Sequence, residues 1–214
     1  MIHELSKSNS ILSQFIAEIR DKAIQKDPLR FRKNMERIGE LMGYELSKKL
    51  DFAETLVETP LGTARVQQLK QQPVIASVLR AGLTLHTGLL NLFDRAENAF
   101  ISAYREENEG EINVHVEYLA CPDLNGKTLI LADPMLATGK SMALVYEAIQ
   151  RNGIPAKIHV VAAVASTQAL NYICKQLPSE TEIWVAVIDN ELNANAYIVP
   201  GIGDAGDLAF GLKL

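Results

Sequence analysis

The apolar positions of this chain change their spacing near residue 70. Before it they follow a helical period. Ile11, Leu12, Phe15, Ile16 and Ile19 predict a helix over 9–25, and Phe31, Met35, Ile38, Leu41, Met42 and Leu46 predict a second over 29–50 with charges on its other face. Asp27-Pro28 punctuates the two. The β-prone residues 56–59, the turn Pro60-Leu61-Gly62 and residues 64–66 predict a small hairpin. From residue 73 short apolar runs alternate with helical stretches. Val74 to Leu79, Ala99 to Tyr104, Thr128 to Ala132, Ile158 to Val164 and Ile183 to Ile188 read as strands, and 83–93, 140–152 and 167–176 as helices. Thr128 to Ala132 is apolar after its first residue, as in a strand buried on both faces. Val114, Val116 and Tyr118 alternate with polar residues, which predicts a half-exposed strand. The polar run 106–111 before it is expected to be mobile.

Strands alternating with helices imply βαβ units, so the expected class is α/β. The architecture is an open, mainly parallel sheet flanked by helices, with an N-terminal helical segment and a small β hairpin or flap. A single domain is expected over 1–214, with the helices of 1–52 packing on its core or on a second subunit. Apolar residues make up 48% of the chain, enough for a full core. The net charge of −5 gives no bulk field for nucleic acid or a membrane surface, so an anionic ligand must be drawn by local groups. Cys121 and Cys174 lack a CxxC spacing and a His cluster, and read as reduced thiols. The N-terminal residues show no signal-peptide pattern, and no run approaches the roughly 20 apolar residues of a membrane span. A cytoplasmic location is expected.

Chemistry concentrates where the strand ending at Ala132 runs into a helix. Ligands of open α/β sheets bind at the carboxyl ends of strands. A helix start offers unpaired N–H groups and partial positive charge to a phosphate. In Asp133-Pro-Met-Leu-Ala-Thr138-Gly139-Lys140-Ser141, Thr138 and Ser141 add hydroxyls, Gly139 permits close backbone approach, and Asp133 can accept from sugar hydroxyls. The plainer reading is a strand-to-helix turn capped by Thr138 or Ser141. A triphosphate P-loop is excluded, because it needs glycine where Pro134 stands. Gly201-Ile-Gly203-Asp-Ala-Gly206 fits GxGxxG, but eight residues remain after it, too few for the helix and strand of a dinucleotide unit. A loop pressed against a flat ligand accounts better for these glycines.

DPMLATGKS at 133–141 resembles the phosphoribosyl-binding loop of the uracil phosphoribosyltransferases, which usually reads DPMLATGGS. Leu79-Arg80-Ala81-Gly82 resembles the family's pyrophosphate loop, and Tyr104-Arg105 its Tyr-Arg pair. Ile188-Asp189 and Leu192-Asn193 resemble the stretch before its uracil loop, and Tyr197 to Gly206, YIVPGIGDAG, the uracil loop itself. The resemblance spans roughly residues 56–211 and is weak over the first 50. It implies transfer of the phosphoribosyl group from 5-phospho-α-D-ribose 1-diphosphate (PRPP) to uracil, giving UMP and pyrophosphate. It also implies Mg²⁺ bound through PRPP rather than a dedicated protein metal site, and a homodimer or higher oligomer. Carried over residue by residue, the PRPP contacts are Arg80, Arg105, Asp133, Pro134, Met135, Leu136, Ala137, Thr138, Gly139, Lys140, Ser141 and Asp204. Ile198, Gly203, Asp204 and Ala205 would meet uracil, and Arg80 and Asp204 would be catalytic.

Two departures stand out. Lys140 replaces the family's usual glycine, and it either contacts a donor phosphate or is solvated. Residues 106–127 keep only Val116-Glu117-Tyr118 and Pro122 of the family's flap, which leaves activation by GTP open. The competing functions are a phosphoribosyltransferase for another base and a non-catalytic nucleotide-sensing module on the same fold.

Overall fold

The computed structural model describes residues 1–108 and 111–213, with residues 103–108 and 111–115 described by backbone alone. In chain order the elements are β1 Ile2–Glu4, α1 Ile11–Arg20, α2 Pro28–Ser47, β2 Phe52–Thr59, β3 Gly62–Leu69, β4 Val74–Leu79, α3 Leu83–Leu92, β5 Glu97–Asn108 and β6 Glu111–Ala120. There follow β7 Thr128–Ala132, β8 Met135–Leu136, α4 Lys140–Ile149, β9 Lys157–Ser166, α5 Thr167–Gln176, β10 Glu182–Asp189, β11 Glu191–Leu192, β12 Ile198–Val199 and α6 Ala205–Phe210.

The main sheet runs β1-β10-β9-β7-β4-β5-β6, with β8 alongside β9. Its pairings are parallel except β5 with β6. The alternation within each buried strand assigns its two faces. Ile75, Ile130, Val161 and Trp184 point to the layer of α1, α2 and α3. Val74, Ala76, Leu129, Leu131, Val160 and Val185 point to the layer of α4 and α5. The hairpin of β2 and β3 forms as expected and stands apart as a two-stranded sheet.

Five local outcomes refine the sequence expectations. The first helix stops at Arg20, because the Asp21 carboxylate accepts the N–H groups of Ala23 (2.7 Å) and Ile24 (3.2 Å), an arrangement that competes with helix. The second begins cleanly: Asp27 caps Leu29 and Arg30, and Pro28 occupies the first position, where no donor is needed. The first residues form a strand, Ile2 pairing with Ile183, in a segment too short to show a period. The final glycine-rich stretch ends in a short helix, α6, capped by Asp204. In β6 a register shift leaves Glu117 without an opposite residue, so Val116 and Leu119 both turn to the core and Tyr118 faces out. Of the run 106–111, expected to be mobile, residues 106–108 and 111 belong to β5 and β6, and 109 and 110 lie outside the described residues.

Candidate active site

The loop of residues 133–139 follows β7. Asp133 stays tied to the sheet through its N–H to the Val161 carbonyl (3.1 Å), and its carboxylate accepts from the Met135 N–H (3.3 Å). Two residues later β8 rejoins β9. Gly139 then takes φ 78° and opens α4 with no side chain capping from its position and no acidic residue in the first turn. That helix start is suited to an anion. Only glycine suits the turn: a Cβ there would lie 2.9 Å from the Ala169 carbonyl oxygen, besides the left-handed φ. Ser166 fastens the loop from behind, donating to the Ala137 carbonyl (2.5 Å) and accepting the Ala169 N–H (2.9 Å) as the cap of α5.

Across the sheet edge, β11 and β12 form a minimal hairpin. Asn193 organises its turn by accepting the N–H groups of Asn195 (3.0 Å) and Tyr197 (2.9 Å), with Ala196 at φ 59°. Asp204 accepts the Asp207 N–H (2.9 Å) at the start of α6. Arg80 lies between the two sides, after a cis Leu79–Arg80 peptide bond. Its guanidinium donates to Asp207 (2.8 Å) and to the Gly211 carbonyl (3.1 Å), and it remains 40% exposed, accessible to a ligand.

These segments enclose a cavity of about 840 Å³. Of the residues singled out from sequence, Arg80, Asp133, Met135, Ala137, Ser141, Ile198 and Asp204 line it. Thr138, Gly139 and Leu136 join Asp133 and Ser141 around an adjoining recess at the start of α4. Pro134 and Ala205 are buried behind the wall, Gly203 is exposed at φ 86°, and Lys140 is exposed. The positive φ belongs to Gly139 and not to Lys140, so the lysine carries no backbone strain. The Arg105 side chain lies outside the described residues, as does that of His115. His86 sits away from the cavity, buried beside Ser77 (2.8 Å), and burial lowers its pKa. Asp207 and Lys213 line the cavity without having been singled out from sequence. Asp207 stands at the third position after the Asp204 cap, a pattern that signals a helix start and not a partner for Arg80.

A family model for uracil phosphoribosyltransferase matches residues 6–212. The chain belongs to the uracil phosphoribosyltransferase family. A protein of that name from Porphyromonas gingivalis is 50% identical over all of this chain and 99% of its own length. Another from Methanothermobacter thermautotrophicus is 38% identical over 95% of this chain and 93% of its own. A solved structure from Aquifex aeolicus superposes over the whole of both chains with a TM-score of 0.88 at 31% identity. A hypoxanthine phosphoribosyltransferase from Staphylococcus aureus, 12% identical, shares the fold alone: its TM-score is 0.50 over 75% of this chain and 76% of that one. The fold is therefore the phosphoribosyltransferase-like open sheet that the motifs imply. The match also corrects the extent of the resemblance, which reaches back through α1 and α2. Apolar residues spaced along a helix form no contiguous motif, so short motifs alone did not reach α1 and α2.

Among the described residues no three His, Cys, Asp or Glu side chains cluster so as to hold a metal ion. No described helix is long and apolar enough to cross a membrane.

Proposed function

We propose that this cavity transfers the phosphoribosyl group of PRPP to uracil, giving UMP and pyrophosphate, as a salvage step in the cytoplasm. The observation that carries the proposal is the meeting, on one cavity, of Arg80, Asp133, the start of α4 and the Ile198–Asp204 loop. The α4 start and Ser141 suit the 5′-phosphate, and Asp133 suits the ribose hydroxyls. Arg80 exchanges Asp207 and Gly211 for pyrophosphate oxygens, which a guanidinium fork matches. Uracil N1 bonds to C1 of the sugar as the C1–O bond breaks. The electron pair leaves with pyrophosphate and the N1 proton is released. Holding both partners in line and stabilising the leaving charge do most of the work. Backbone groups around Ile198, Gly203 and Ala205 suit the acceptor–donor–acceptor edge of uracil. A mismatched base would leave a buried group unpaired, at about 1–3 kcal/mol each.

The charges on the wall fit Mg²⁺ carried by the donor. Asp133, Asp204 and Asp207 face the same space, so a bare PRPP anion would be repelled where a Mg²⁺ complex is not. Mg²⁺ favours phosphates and water over a protein cage. When bound it neutralises charge on the leaving pyrophosphate. The family resemblance also suggests a homodimer or higher oligomer, and GTP as an effector to be tried.

The test is incubation with labelled uracil, PRPP and Mg²⁺, with cytosine, hypoxanthine and orotate in parallel. UMP from uracil alone is expected. Product from another base would reassign the acceptor. No product with PRPP still bound would make the chain a nucleotide-sensing module.

A further inference from the structure

We infer that Arg20 and Asp189, neither of them on the cavity wall, position the base loop and so control how tightly the base is held. The inference rests on the function proposed above. Arg20 is the last residue of α1 and Asp189 the last of β10. The guanidinium grips the carboxylate through both arms, at 3.0 and 2.9 Å, and both side chains are largely buried, 21% and 7% exposed. The pair does not only face itself. Asp189 accepts the Gly201 N–H (3.0 Å), and Arg20 donates to the Gly201 carbonyl (3.0 Å). Gln25, just past α1, adds a third tie by donating to the carbonyls of Ile19 (2.7 Å) and Ile202 (3.3 Å).

Three backbone groups on the two consecutive residues Gly201 and Ile202 are thus held by side chains from elsewhere in the chain. Gly201 is the point where this matters. It sits at φ 56°, folded so tightly onto Ile198 that a Cβ would fall 2.1 Å from the Ile198 carbonyl oxygen. Ile198 lines the cavity on one side of this bend and Asp204 on the other. Backbone recognition of a base needs its donors and acceptors fixed to a fraction of an ångström, which requires a supporting shell. Here that shell is the Arg20–Asp189 pair. Its hydrogen bonds run to the base side and none of them to the Asp133–Ser141 loop, so its loss should separate the two substrates kinetically.

The test measures KM for uracil and for PRPP, with a thermal melt, in Arg20→Ala, Arg20→Lys and Gln25→Ala of the full chain. Arg20→Ala is expected to raise the uracil KM by about tenfold or more while the PRPP KM moves less than about threefold. Arg20→Lys keeps the charge but not the fork and should recover part of the loss, and Gln25→Ala should raise the uracil KM by about two- to threefold. Equal rises in both KM values, or an unchanged uracil KM in a folded Arg20→Ala, would overturn the positioning role. If Arg20→Ala has no cooperative melt, the other two variants decide: an unchanged uracil KM in both overturns it. A wild type that forms no UMP overturns the activity and the inference together. A wild type that forms UMP beside indifferent variants overturns the inference alone.

Discussion

The loop after β7 and the loop around β12 face each other across one cavity but are held in place differently. Residues 133–141 connect a central buried strand to a helix of ten residues, and their ties run to the neighbouring β9 and α5. Residues 197–210 contain only a two-residue strand and a six-residue helix. Their ties run to Arg20 and Gln25, and Arg32 of α2 holds the Ala209 carbonyl at 2.7 Å. A binding loop built into the sheet needs little help from afar. One built on short elements has few backbone bonds of its own and must borrow side chains from distant parts of the chain.

The largest expected effect lies where the two sides meet. Arg80→Ala removes the cavity guanidinium proposed to bind pyrophosphate and also frees Asp207, so it should lower kcat/KM for PRPP by about 10²–10³, roughly 3–4 kcal/mol. Steady-state kinetics would check this, and a loss confined to uracil would reverse the assignment of sides. Next is Gly139→Val, which forces a branched side chain into a left-handed φ against Ala169 and Ile173. It should destabilise the fold by about 2–4 kcal/mol in urea unfolding, because the donor loop has no slack to absorb it. Ser166→Ala should cost about 1–2 kcal/mol by removing the α5 cap and the tie to Ala137. It should raise the PRPP KM and spare that of uracil, the mirror image of the Arg20 variants.

Acid should separate the two supports more gently. Burial holds His159, whose ring accepts from Trp184, at about 4 rather than 6.5. The Arg30 guanidinium, helped by Asn34 and Gln14, holds Glu18 at about 2 rather than 4.5. Both groups bind a proton more readily in the unfolded chain, so both contributions are complete at neutral pH and shrink as pH falls. Urea midpoints should decline first between about 6.5 and 4 through His159, and again below about 4.5 through Glu18. His159→Gln should flatten the first decline. Glu18 ties α1 to α2, so the helix that carries Arg20 should keep its anchor until the second.

Legibility in the sequence followed the same division. The donor side is contiguous: strand, Asp133, Gly139 and helix appear in one run of letters, and the structure keeps them in that arrangement. Over 197–206 local pattern showed only the glycines, and Ile198, Gly203, Asp204 and Ala205 were legible through the family resemblance alone. Neither α6 nor the roles of Asp207 and Lys213 in the wall could be read, since a six-residue helix shows less than two turns of period. β1 escaped for the same reason, and the early stop of the first helix depended on the Asp21 side chain competing with its own backbone.

Hydrophobic periodicity and local turn chemistry act between near neighbours. They alone determined the α/β class, the parallel strands, the β2–β3 hairpin and the glycine-led start of α4. The pairing of Arg80 with Asp207, the grip of Arg20 and Asp189 on Gly201, and the closing of four segments around one cavity were decided only by the tertiary structure. Apart from Asp189 with Gly201, 12 positions apart, these contacts join residues 127 to 181 positions apart, and no local energy term can register them before the sheet and its two helical layers have assembled.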